Sequence, residues 1–144
     1  MIVSKAVRTA YYNALDGNVT HNGSPVPVFD VYALPEEVEM PYILLSTQVD
    51  IQQPIKRCKR WNASILVDIV TGSTDPIGRS DAEDIAEQVE NIINPDTFED
   101  LDLSAYDYQL GNTIKENDTD LSSKTSTQYV YRKLLRYGFL ITKS

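Results

Sequence analysis

Gln128 to Thr142 (QYVYRKLLRYGFLIT) reads as β-strand over fifteen consecutive residues, and a run this long commits the chain to a sheet that can accommodate it. Tyr129, Tyr131, Lys133, Leu135, Tyr137, Phe139 and Ile141 alternate onto one face, and Val130, Arg132, Leu134, Arg136 and Leu140 onto the other. At about 3.3 Å per residue the run would extend on the order of 50 Å, beyond an ordinary strand. The sequence therefore predicts a bend at Gly138 or a segment projecting past the domain. Two further runs suit the same sheet. Pro41 to Ile51 places Ile43, Leu45, Thr47, Val49 and Ile51 on one face, and Trp61, Ala63, Ile65, Val67 and Ile69 alternate with Asn62, Ser64 and Asp68. Joined by the basic loop Gln52 to Arg60, they predict a long antiparallel hairpin.

Helical periodicity appears twice. Val3, Ala6, Val7, Ala10 and Ala14 form one apolar stripe between Ile2 and Leu15, ending at Asp16-Gly17-Asn18. Ser80 followed by Glu83 reads as a capping box for a second helix, with Ala82, Ile85, Ala86, Val89, Ile92 and Ile93 inward. Asp81, Glu83, Asp84, Glu87 and Glu90 face water in this reading, and Pro95 stops the helix. Thr20 to Pro27 is turn chemistry, and Val28 to Ala33, flanked by prolines, predicts a short edge strand. Asp96 to Thr127 is polar and acidic, with one or two short strands around Leu101, Leu103, Tyr106, Tyr108, Leu110 and Ile114. The order predicts a single α+β domain over residues 1–144, mostly antiparallel, with two helices packed on one face of the sheet.

Charge is segregated along the chain. Asp75 to Asp120 holds fourteen carboxylates against Arg79 and Lys115, whereas the remainder holds eleven cations against seven carboxylates. This polarity suits a solvated acidic helix beside basic loops, and equally an acidic surface of one copy meeting a basic surface of the next, a head-to-tail contact that closes into rings. A net charge of −8 argues against a DNA grip made by overall charge. No apolar run reaches the roughly 18 residues of a membrane span, and the lone Cys58 makes no internal bridge. With no secretory pattern at the start, the reading is an intracellular product. Tyrosines outnumber phenylalanines nine to three; Tyr11, Tyr12, Tyr106, Tyr108, Tyr129, Tyr131 and Tyr137 suit either protein interfaces or half-buried strand positions.

Enzymatic chemistry finds little footing. GxxxxGK[ST] and GxGxxG are absent, and the single His21 sits in a Gly/Asn/Pro turn. One Cys and one His are too few for zinc, and the acidic loops lack the EF-hand glycine. No cofactor, metal ligand or catalytic residue is predicted.

In order and spacing the elements resemble the tail-completion or tail-terminator proteins of tailed bacteriophages. The resemblance rests on the first helix leading to Val26-Pro27-Val28-Phe29, on Met40-Pro41-Tyr42-Ile43-Leu44-Leu45, and on the charged hairpin into Trp61 to Val70. It continues through Asp81-Ala82-Glu83-Asp84-Ile85-Ala86-Glu87-Gln88-Val89 and Tyr131-Arg132-Lys133-Leu134-Leu135-Arg136-Tyr137. It implies a non-enzymatic virion protomer made in a bacterial cytoplasm and assembled into a ring, usually a hexamer. That ring caps the last ring of tail-tube protein, joins the tail to the head-completion or portal-side connector, and passes DNA without holding it.

On this reading Lys56, Arg57, Lys59 and Arg60 at the hairpin tip dock on the tube or connector. Glu83, Glu87, Glu90, Asp100 and Asp102 face the channel or a neighbouring protomer, and Arg132 and Arg136 meet the neighbour's acidic surface. Alternatives are another neck adaptor or stopper, an acidic DNA-mimic inhibitor, and a small hydrolase for which no nucleophile and base pair stands out.

Overall fold

A computed structural model describes residues 1–55, 57–74, 78–97 and 99–143. The elements run α1 (Val3–Leu15), β1 (Thr20–His21), β2 (Ser24–Pro25), β3 (Val28–Asp30), β4 (Tyr42–Gln53), β5 (Arg60–Ser73), α2 (Arg79–Ile93), β6 (Tyr108–Lys124) and β7 (Tyr129–Lys143), with single 3-10 turns at Val31–Ala33 and Ser104–Tyr106. Five strands form one sheet in the order β3-β4-β5-β7-β6, antiparallel except for the parallel β3–β4 pair. Both helices pack on one face, so the fold is α+β.

The core lies between that face and the helices. Val3, Ala6, Val7, Ala10, Tyr11 and Leu15 of α1 and Ile85, Ala86, Val89 and Ile93 of α2 meet Ile65, Val67 and Ile69 of β5 and Leu135, Tyr137, Phe139 and Ile141 of β7. Each fully buried aliphatic side chain contributes about 1.5–3 kcal/mol. α1 stops where Gly17 turns at φ +78°, as its sequence signal requires. Residues Thr20 to Pro27 form a two-residue hairpin turning at Asn22 and Gly23, both with positive φ.

Several expectations are corrected. β7 neither breaks at Gly138 nor projects: it is an inner strand, paired with β5 without a register shift from Tyr129↔Ser73 to Thr142↔Arg60. Its fifteen residues are absorbed because its neighbours are long as well, fourteen residues in β5 and seventeen in β6. One of them is β6, a seventeen-residue strand where only short pieces were expected. Two irregularities, between Gly111 and Ile114 and between Lys115 and Asn117, scramble its alternation and hide it from a period-two reading. β4 carries a similar shift between Leu45 and Gln48. Ile43 and Leu45 therefore face the core, but Val49 and Ile51 face the opposite side, and Gln48 takes the inward position, donating to the Ser4 carbonyl at 2.9 Å.

α2 begins at Arg79, with Gly78 as a cap lacking a side-chain bond, so Ser80 lies inside the helix and the capping box does not form. The edge strand β3 stops at Asp30, whose carboxylate accepts from the Tyr32 amide at 3.0 Å and starts a 3-10 turn.

Candidate functional site

Three surfaces are built by this arrangement. The first is the tip of the β4–β5 hairpin, where Arg57 and Lys59 are exposed and Arg60 is half-buried; Lys56 lies outside the described residues. The Lys143 amide donates to the Lys59 carbonyl at 2.9 Å, which brings the cationic end of β7 beside the loop. Among the described residues none of Arg57, Lys59 and Arg60 has a carboxylate in an ion pair, so their charge is available to a partner.

The second surface is acidic and runs from α2 to β6. Asp84 and Glu87 stand on the outer side of α2, exposed, and Glu83 pairs with Arg79 at 3.6 Å. Glu90 does not simply face water. It is half-buried, accepts from the Tyr137 hydroxyl at 2.7 Å and pairs with Lys115 at 3.6 Å. Farther along, Lys133 reaches Asp118 at 2.8 Å and Asp120 at 3.1 Å, and Asp120 also pairs with Arg79 at 3.0 Å. Partial burial disfavours the charged form of Asp118, but hydrogen bonds and charge from Lys133 and Lys115 outweigh it and hold its pKa below the ordinary value. For Lys133 burial likewise opposes charge, and the same two carboxylates raise its pKa above the usual lysine range. Asp100 and Asp102 are exposed in the loop after α2. Hydrogen bonds from the Ser104 side chain and then from its amide, at 2.8 Å, lower the Asp102 pKa, and Asp100 accepts from the Thr113 amide at 3.3 Å. The sequence marked the acidic block without revealing that Arg79, Lys115 and Lys133 knit α2, β6 and β7 together, because Arg79–Asp120, Lys115–Glu90 and Lys133–Asp118 join residues of different elements.

The third surface is the sheet face opposite the helices, open around Val49, Ile51, Ile114 and Leu121, whereas Leu44, Asp68 and Val70 on the same face are buried and the Met40 side chain lies against Gly72. Register places Val49, Ser64, Gly138 and Ile114 in one row across β4, β5, β7 and β6, and Ile51, Asn62, Leu140 and Gly111 in the next. Val49 is 49%, Ile51 61%, Ile114 57% and Leu121 51% exposed, all on this open face. Arg132 and Arg136 share it. Arg132 pairs within the chain with Asp68, which is only 3% exposed, and that hydrogen bond raises the Arg132 pKa. Among the described residues Arg136 donates only to hydroxyls, Ser64 Oγ at 3.1 Å and Thr47 Oγ1 at 2.8 Å. This face was missed at the level of β4, where the bulge turned Val49 and Ile51 outward. Its signal was present in β7, whose second face mixes Val130, Leu134 and Leu140 with the two arginines.

His21 contacts its neighbour Asn22 at 3.2 Å, and Cys58 is exposed in the hairpin tip. Among the described residues no group of three or more His, Cys, Asp or Glu side chains is placed to hold a metal ion, and no helix is long and apolar enough to cross a membrane.

No family model matches the sequence, and no curated protein does. Among solved structures, the fold is similar to that of a chain in the virion of a native gene transfer agent particle. The two share 16% identity and superpose with a TM-score of 0.70, covering 96% of this chain and 97% of that one. The class defined at this point is a fold: a two-layer α+β protomer also found in a virion particle.

Proposed function

We infer that this chain is a non-enzymatic structural protein of a phage-like virion, made in the bacterial cytoplasm, and more specifically the tail-terminating ring protomer. The observation that carries the reading is the match to the gene transfer agent virion chain over nearly the whole length of both. An entire protomer fold is shared, so the likeness is not that of a common hairpin or helix pair.

The surfaces fit that work. Copies joined side by side form the ring, with Arg132 and Arg136 toward a neighbour. Lys56, Arg57, Lys59 and Arg60 dock on the tail tube or on the connector protein above it. Glu83, Glu87, Asp100 and Asp102 line the channel or the next protomer, with Glu90 held inward by Tyr137 and Lys115; there carboxylates repel phosphate and let DNA pass unbound, whereas a cationic lumen would hold it through counterion release.

Labelling the protein in purified particles and imaging them by electron microscopy tests this. The label is expected at the head–tail junction. A label along the whole tube or over the capsid shell contradicts the reading, and one on the portal side of the junction replaces the terminator with a neck adaptor. Replacing Lys56, Arg57, Lys59 and Arg60 with Ser is expected to release tail length control; tails of normal length would remove the hairpin tip from the docking role.

A further inference from the structure

The open sheet face has a shape as well as a composition. Around Gly138 the strands leave an open groove of about 410 Å³, walled by Asn62, Ile114, Glu116 and Leu140. Ser64 and Gly138 occupy adjacent positions in one cross-sheet row beneath it, and the Glu116 side chain lies over Gly138. Arg136 lies two residues along the same face, bonded among the described residues to neutral hydroxyls alone. Such a surface fits a ligand combining an aromatic or aliphatic knob with negative charge.

The chain itself presents that ligand at the opposite edge of the sheet. Tyr32 is 92% exposed, the most exposed large apolar side chain among the described residues. It opens the segment Tyr32-Ala33-Leu34-Pro35-Glu36-Glu37-Val38-Glu39, which carries three exposed glutamates and no cation. Among the described residues none of the three is in an ion pair. This segment follows edge strand β3, whereas Ile114 lies on edge strand β6. Within one protomer the segment leads into Met40, packed at Gly72 eight residues along β5 from Ser64, whereas a neighbour set side by side presents its β3 edge to that groove.

We propose that residues 32–39 of one copy dock on the open sheet face of the next. Tyr32 enters the groove beside Ile114 and Gly138, and Glu36, Glu37 and Glu39 answer Arg136. The contact is heterologous, so repeating it generates a ring or a filament. It rests on the ring reading above and names the surface through which the ring closes. Glu116, folded over Gly138, is the one opposing charge within the groove.

The test uses the full chain with Cys58→Ser and two introduced cysteines, Tyr32→Cys and Ile114→Cys, under mild oxidation. A ladder of disulfide-linked multimers is expected. A control pairing Tyr32→Cys with Ile2→Cys, on the helix layer and 71% exposed, is expected to give none. No ladder from the first pair, or an equal one from both, overturns the proposal. In sedimentation, Tyr32→Ala and Arg136→Glu should each weaken self-association by about tenfold or more, and Glu116→Gln should strengthen it. Mixing Arg136→Glu protein with protein carrying Glu36→Lys, Glu37→Lys and Glu39→Lys should restore assembly that neither shows alone. If wild type forms rings in solution or on tube ends and these variants change nothing, the sheet-face contact is wrong and the ring reading stands. If wild type forms none in either setting, both fall.

Discussion

Two tyrosines of one core have opposite hydroxyl environments. Tyr11 and Tyr137 lie with ring centroids 6.4 Å apart, and burial raises both hydroxyl pKa values. The Tyr137 hydroxyl donates to Glu90, whereas the Tyr11 hydroxyl is buried without a partner among the described residues. Tyr11→Phe should therefore leave stability unchanged or raise it by up to about 1 kcal/mol, while Tyr137→Phe should cost about 1.5–3 kcal/mol, measured by urea unfolding. Arg132 offers a comparable contrast. Arg132→Met strands the Asp68 carboxylate, and since the arginine side chain is 46% exposed the loss should be about 2 kcal/mol, short of the 3–5 kcal/mol of a fully buried pair. Composition flagged tyrosine without distinguishing these roles. Tyr11 and Tyr137 are core residues, whereas Tyr32, the most exposed among the described residues, falls within the expected strand Val28 to Ala33 and is turned outward because a 3-10 turn replaces its second half.

Strands and helices were legible in proportion to their regularity. β5 and β7 alternate without a fault and were read on their correct faces; β4 and β6 contain bulges, and one extra residue sends every later side chain to the other face. The cost of that misreading was the open sheet face, since Val49 and Ile51 looked like core.

Gly138 has no positive φ, and a β-carbon there would meet the flexible end of Glu116. Gly138→Ala should thus shift stability by no more than about 0.5 kcal/mol, read from the urea midpoint, as Glu116 swings away.

The β6–β7–α2 ion pairs carry a pH signature. Asp118 has a lowered pKa, so its contribution is complete above about pH 4, the unfolded value, and is lost as pH falls through the folded one. Lys133 has a raised pKa, so its contribution is complete below about pH 10.4 and fades as pH rises through the folded value. Lys133→Met should flatten both limbs of the stability profile measured by urea unfolding across pH. An unchanged profile would contradict the assignment.

At the scale of the molecule, charge segregation was visible in the sequence, and the structure gives it a topology. Cations gather at the hairpin tip and carboxylates along α2, while the apolar rows of the open face separate the two sheet edges. What the sequence could not show is which edge faces which partner, because that depends on strand order, and β7 enters the sheet between β5 and β6. The central claim is that copies of this chain make one ring per particle and no catalyst. Quantitative mass spectrometry of purified particles tests it most directly, by counting this chain against the tube and capsid proteins. The account predicts a single ring's worth of copies per particle; a count that scales with tail length, or none at all, would contradict it.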